Sequence, residues 1–157
     1  MDNALDFFTM NGSEILNDAF EDECADIRTE AAALLGAAVQ NNNRVKARIL
    51  GTKSNLLAVL SKTCQVALGK VSVDATEENF VRKVLFVYSA MMRNSAEAQS
   101  WVFRGSSGCL STCLSTRTFP LKIRQKSVTL LNDLMEEWVR STREWFSNKL
   151  IVHENAV

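Results

Sequence analysis

The chain has 157 residues, 46% of them hydrophobic, and its Lys+Arg and Asp+Glu counts balance at 18 each. This length predicts one domain, the apolar fraction excludes a disordered chain, and the charge balance lacks the basic excess of a nucleic-acid binder. No apolar run reaches the roughly 18 residues of a membrane-spanning helix, and a single proline, where about 5% is usual, points to helix almost throughout.

In chain order, short helices are predicted at 3–9 and 13–20, ahead of a long one at 26–40. The long helix carries Ile27, Ala31, Leu34, Leu35 and Ala38 at helical spacing, so these are expected on its core face. A second pair of short helices, at 44–50 and 54–63, precedes a long helix over 77–93. Its stripe of Val81, Leu85, Tyr88 and Met92 is joined by Val84, Phe86, Val87 and Met91 on other sides, the pattern of a central, buried helix. Asp74 and Glu77 are spaced as an N-cap and its N3 partner. A third short pair, at 96–103 and 107–115, leads into a long helix over 121–149. Pro120 stands at its first turn, and its stripe is Ile123, Leu130, Leu131, Leu134 and Trp138. Glu136 and Arg140 make a supportive i,i+4 pair. Gly12, Gly51 and Gly105 punctuate the three short pairs where sharp turns are needed.

The long helices recur in register. Ile27-Arg28, Val81-Arg82 and Ile123-Arg124 occupy one position in three copies, with steps of 54 and 42 residues. A period near 41–42 lies in the armadillo range of about 40–47, and the extra dozen residues of the longer step are assigned to a loop at 64–76. The predicted fold is therefore all-α: an armadillo-like helical-repeat solenoid of about two full repeats with partial repeats at its ends. Residues 1–150 form this domain, which opens in mid-repeat and is expected to be truncated at its N-terminus. Residues 151–157 are expected to be a polar tail.

Four stretches make the pattern specific: MDNALDFFTMNGSEIL (1–16), LLGAAVQNN (34–42), VRKVLFVYSAMMRNSAEAQ (81–99) and IRQKSVTLLNDLMEE (123–137). Arg93-Asn94 and Glu97-Ala98-Gln99 in the third, with the downstream Phe103, resemble an RN-x-x-EAQ-x-x-F pattern with one residue more before the Phe. Together they resemble the armadillo-type nucleotide exchange factors of heat-shock protein 70 chaperones, over about residues 1–138. The resemblance implies a co-chaperone that clamps one lobe of the chaperone's nucleotide-binding domain with its concave side and promotes ADP release, without chemistry of its own. The chain departs from the family's GG pairs, reading Asn11-Gly12, Thr52-Lys53 and Ser106-Ser107 instead.

The resemblance also places the long helices on the concave face. In peptide-binding armadillos an asparagine ladder lies there, and the matching positions here are Ala37, Met91 and Asp133, so that style of peptide binding is not expected. The expected contact strip is Thr29, Lys83 and Gln125, then Gln40, Asn41, Asn94, Asp133 and Glu136, with Arg82 and Arg93 at its edge. The implied partner is a heat-shock protein 70 chaperone, BiP-like if the chain is lumenal. The alternative is an armadillo scaffold that docks another protein with no effect on nucleotide.

No catalytic residue, cofactor, metal or small-molecule substrate is expected. Cys109 and Cys113 stand i,i+4 and read as buried apolar thiols rather than a metal pair, and four cysteines in no zinc or CxxC pattern leave the redox compartment open. His153 sits in the polar tail without a partner for catalysis. Asp133, Glu136 and Glu137 otherwise read as a solvated helix face. Trp138 is assigned to packing; Trp145 and Phe146 are either cover for a further repeat or exposed groups. Neither a signal peptide nor a KDEL-type retrieval signal is visible. The central block nonetheless resembles the lumenal members more, so the endoplasmic reticulum is expected if a signal lies upstream, and the cytoplasm otherwise.

Overall fold

A computed structural model describes residues 3–51, 55–70, 73–105, 109–110, 112–113 and 119–154, with the backbone alone at 103–105 and 141–154. Every regular element among them is a helix: α1 Asn3–Thr9, α2 Gly12–Glu21, α3 Ala25–Val39, α4 Asn43–Gly51, α5 Leu56–Leu68, α6 Ala75–Met92, α7 Ala96–Gly105 and α8 Leu121–Glu154. Residues 109–110 and 112–113 are also helical. The rest of the predicted helix at 107–115 lies outside the described residues.

The helices pack in three rows of equivalents. The first row runs α1, α4, α7; the second pairs α2 with α5; the third stacks the long helices α3, α6 and α8. Cys109 continues the second row, joined to Cys64 of α5 by a disulfide with Cα atoms 6.2 Å apart. This is the armadillo-like stacking expected, in which each unit of two short helices and one long one covers its neighbour. Because α1 lines up with α4 and α7, the chain's first three helices make a unit of the same kind.

The core runs through the long helices. In α6, Phe80, Val81, Val84, Leu85, Val87, Tyr88, Met91 and Met92 are buried, and Phe86 is half-buried. That is the all-round burial its composition predicted, since α6 has a long helix on both sides. Asp74 caps it: its carboxylate accepts from the backbone N–H of Thr76 at 2.9 Å and of Glu77 at 2.8 Å. The Glu77 bond first, and then one from the Thr76 hydroxyl at 2.6 Å, hold the Asp74 carboxyl below its ordinary range.

In α3 the buried face differs from the predicted one. Ala31 and Leu35 are inside, but Ile27 and Leu34 are 46% and 49% exposed. The packing face is instead Arg28, Ala32, Leu35, Gly36 and Val39. The cause is size. A Cβ at Gly36 would fall inside the van der Waals envelope of the Phe86 ring, so the small-residue side of α3 lets α6 approach. Periodicity weighted by bulk picks the wrong side of such a helix.

Four further expectations are corrected. The left-handed residues among those described are asparagines, Asn11, Asn41 and Asn94, while Gly12, Gly51 and Gly105 are helical. Asparagine tolerates positive φ better than other residues with a Cβ. The ends of α3 and α6, Val39 and Met92, like Asn41 and Asn94 beyond them, lie 53 positions apart, one fewer than the step read from Ile27 and Val81. The segment at 64–76 is not all loop: α5 continues to Leu68 and α6 begins at Ala75. At the other end α8 runs to Glu154, making the first residues of the expected tail helical.

Along α8, Ile123, Leu130 and Leu134 are buried and Leu131 packs half-buried against the same core. Trp138, assigned to packing, is 61% exposed. The side chains of Trp145, Phe146 and His153 lie outside the described residues, as do Thr52-Lys53 and Ser106-Ser107. Among the described helices, none is long and apolar enough to cross a membrane.

Candidate functional site

The α6–α7 turn and the middle of α8 build one cleft. After Met92, Arg93 turns the backbone out of the helix and Asn94 adopts φ 57°. This conformation aims the Asn94 N–H at α8, where it donates to Glu137 Oε1 at 2.6 Å. From behind, buried Lys46 of α4 donates its Nζ to the Arg93 carbonyl at 2.6 Å. Burial pulls the Lys46 ammonium below the ordinary lysine range, Glu137 pulls it back up, and Arg93 lowers it further. The turn is thus held by charged groups from two other helices.

The cleft has a volume of about 330 Å³ and is lined by Arg93, Asn94, Asp133, Glu136, Glu137 and Arg140. Four of these, Arg93, Asn94, Asp133 and Glu136, belong to the strip expected from sequence. Glu137 and Arg140 were not in it. Their signal was present: 133, 136, 137 and 140 are spaced i, i+3, i+4 and i+7, one face of a helix. The cleft is open and mixed in charge. Two arginines and three carboxylates line it, and Glu136 Oε1 also accepts from Asn132 Nδ2 at 2.9 Å.

A basic group lies elsewhere along the same pair of helices. Exposed Arg82 and half-buried Lys83 on α6 act on Lys126 of α8. Burial lowers the Lys126 pKa first, and the repulsion of Arg82 and then Lys83 lowers it further. Lys126 was not expected in the strip; only the packing of α6 on α8 reveals it. Gln125 is exposed on α8.

The remaining strip residues separate. Gln40 and Asn41 are exposed on the α3–α4 turn, with Asn41 at φ 55°, the counterpart of the Arg93–Asn94 turn one unit earlier. Thr29 does not belong to the surface. It is 2% exposed and its hydroxyl donates to the Ala25 carbonyl at 2.7 Å. The rotation of α3 that exposes Ile27 carries Thr29 inward. Of the ladder positions, Met91 is buried while Ala37 and Asp133 are exposed, so no continuous polar row faces out there.

Three units, a mixed-charge cleft and a basic group on the stacked long helices make a surface suited to holding a protein. Over residues 3–154 the chain matches the family described as SIL1/FES1/HPBP1 C-terminal domain. The chain belongs to that family. It is a family of nucleotide exchange factors of heat-shock protein 70 chaperones, as the motifs around Asn94 and in α8 suggested. Comparison with curated proteins and with solved structures found no match. Membership gives the cleft a context: a domain of exchange factors is read through the surface it offers a partner, and the α6–α8 cleft gathers four of this chain's ten expected contact residues.

Proposed function

We propose that the chain binds the nucleotide-binding domain of a heat-shock protein 70 chaperone and promotes release of ADP. Family membership supports the co-chaperone role. The observation that carries the reading to particular residues is the convergence of Arg93, Asn94, Asp133 and Glu136 in one cleft, beside the basic group of Arg82, Lys83 and Lys126.

The mechanism is a shift of population. A partner that binds the open chaperone lobe more tightly than the closed one lowers ADP affinity by the same coupling factor. The exchange factor needs a rigid, charge-patterned surface and no reactive group. Rigidity is available here because the cleft is pinned by Glu137 and Lys46. The endoplasmic reticulum is the compartment we propose, with a BiP-like chaperone as partner; the Cys64–Cys109 disulfide supports an oxidising environment.

The deciding experiment is stopped-flow release of fluorescent ADP from the chaperone at saturating exchange factor. Release should accelerate with the wild type, and Lys83→Glu should need a higher concentration for the same rate while retaining its helical circular dichroism. Unchanged ADP release at saturating binding would overturn the exchange function and leave a scaffold that docks its partner without affecting nucleotide.

A further inference from the structure

Helix α8 buries Ile123, Ser127, Leu130 and Leu134, in contact with α6. At about 100° per residue, the opposite side of the same helix carries Leu121, Val128, Met135 and Val139. They are 65%, 57%, 61% and 39% exposed. The first three follow each other at seven-residue spacing, the repeat of a seam between paired helices. A row of this kind on the last of the stacked helices is out of place on a surface that needs only water.

We propose that this face pairs with the same face of a second copy of the chain, antiparallel and two-fold symmetric about Thr129. The charges set the direction. Lys122 and Glu136 are exposed on one flank of the row, and Thr129 lies midway between them on that flank. A two-fold axis through Thr129 keeps that flank facing itself. It places Lys122 of each copy against Glu136 of the other, giving two opposite-charge contacts per dimer. Parallel two-fold pairing would carry that flank to the far side of the seam in the other copy, and Lys122 would have no Glu136 to meet. The apolar residues obey the same symmetry: the two Val128 side chains flank the axis, and Leu121 falls level with the gap between Met135 and Val139 of the other copy. A self-complementary patch of this kind is what a closed two-fold interface requires.

The interface is small. The row from 121 to 139 spans about 27 Å of helix. Such a pair falls short of the roughly 800 Å² per partner of a standard interface. The dimer is therefore weak, with a dissociation constant on the order of 100 μM. It does not rest on the chaperone reading. Glu136 lines both the seam and the cleft, so the test contains no chaperone.

Sedimentation velocity on the full chain, from about 10 μM to about 1 mM, should show conversion from monomer to dimer mass. Val128→Glu and Lys122→Glu should each weaken dimerisation at least about tenfold, with the thermal melt retained. The double variant Lys122→Glu, Glu136→Lys should restore it. A chain monomeric across the whole range, or a dimer indifferent to Val128→Glu, would overturn the proposal. Failure of the charge-swapped double variant to recover would overturn the antiparallel register.

Discussion

Arg28 of α3 and Glu77 of α6 meet across 49 positions of sequence, with Nη2 2.6 Å from Oε1 and both side chains almost fully buried. Arg28 makes further contacts around this one. Its Nη1 donates to the carbonyls of Asp22 at 2.6 Å and Glu23 at 2.9 Å, and its guanidinium lies 5.5 Å from the centroid of the Phe80 ring. One side chain thus ties the α2–α3 turn to the first turn of α6. Lys70 also reaches Glu77, from a half-exposed position.

Removing one buried partner strands the other charge, which costs about 3–5 kcal/mol. Arg28→Ala and Glu77→Ala should each lose on the order of 3 kcal/mol in urea unfolding. The double variant should lose clearly less than the two combined. Lys70→Ala should cost under about 1 kcal/mol, because that ammonium is already solvated. Additive single losses would show that the pair is not coupled.

The contact of Gly36 with the Phe86 ring predicts a second cycle. Gly36→Val adds a branched side chain where the ring sits, and overpacking costs about 1–3 kcal/mol. In a Phe86→Ala background the space is vacant, so the same substitution should be nearly neutral or stabilising. Thermal melts of the four proteins measure this directly. An equal penalty in both backgrounds would place the constraint in the helix backbone and not in the ring.

These two contacts show what was legible in the sequence and what was not. The burial of α6 and the Asp74 cap were readable because each depends on residues close in sequence. The repeat was readable because similar residues recur at a near-constant step. The face of α3 was not: bulk favoured Ile27 and Leu34, while the packing used Ala32 and Gly36, and only the neighbouring Phe86 explains why. Thr29 entered the expected contact strip through the same error. The turns were assigned to glycines, yet the left-handed positions went to Asn11, Asn41 and Asn94, whose short amides stand where the chain leaves or enters a helix. The α6–α8 cleft was half visible: its acidic side lies on one helix, but its closure by Asn94 needs the fold.

The cysteines give a count that can be checked in one tube. Cys109 was read as a free buried thiol like Cys113, but it is bonded to Cys64, 45 positions away. Spacing cannot reveal a bridge between adjacent units. Cys24 is exposed and Cys113 buried. Burial pushes the Cys113 thiol up to about 11, against a hydrogen bond with Ser127 and one with its own backbone that lower it. At neutral pH Cys113 is therefore both shielded and protonated, and the thiolate is the reactive form. Maleimide should label only Cys24 in the native protein and Cys24 with Cys113 after denaturation. All four cysteines should react once the denatured chain is reduced. Rapid native labelling of Cys113 would contradict its burial, and labelling of Cys64 or Cys109 without reductant would contradict the bridge.

The hydrogen bond from Asn94 to Glu137 links the left-handed turn to α8, and its loss should be felt in binding before stability. Glu137 is half-buried and Asn94 exposed, so a charge-assisted bond between them contributes about 1–2 kcal/mol. Glu137→Ala should raise the exchange rate of the Asn94 amide by roughly ten- to thirtyfold and leave the protected amides of α6 unchanged. Because Arg93 and Asn94 line the cleft from this turn, the same variant should bind the chaperone severalfold more weakly, mainly through faster dissociation. The Lys46 ammonium would lose the nearby carboxylate that raises its pKa, so its titration should move further down. An unchanged Asn94 exchange rate in Glu137→Ala would mean that the turn holds its shape without α8, and the cleft would then owe its form to the left-handed backbone and Lys46 alone.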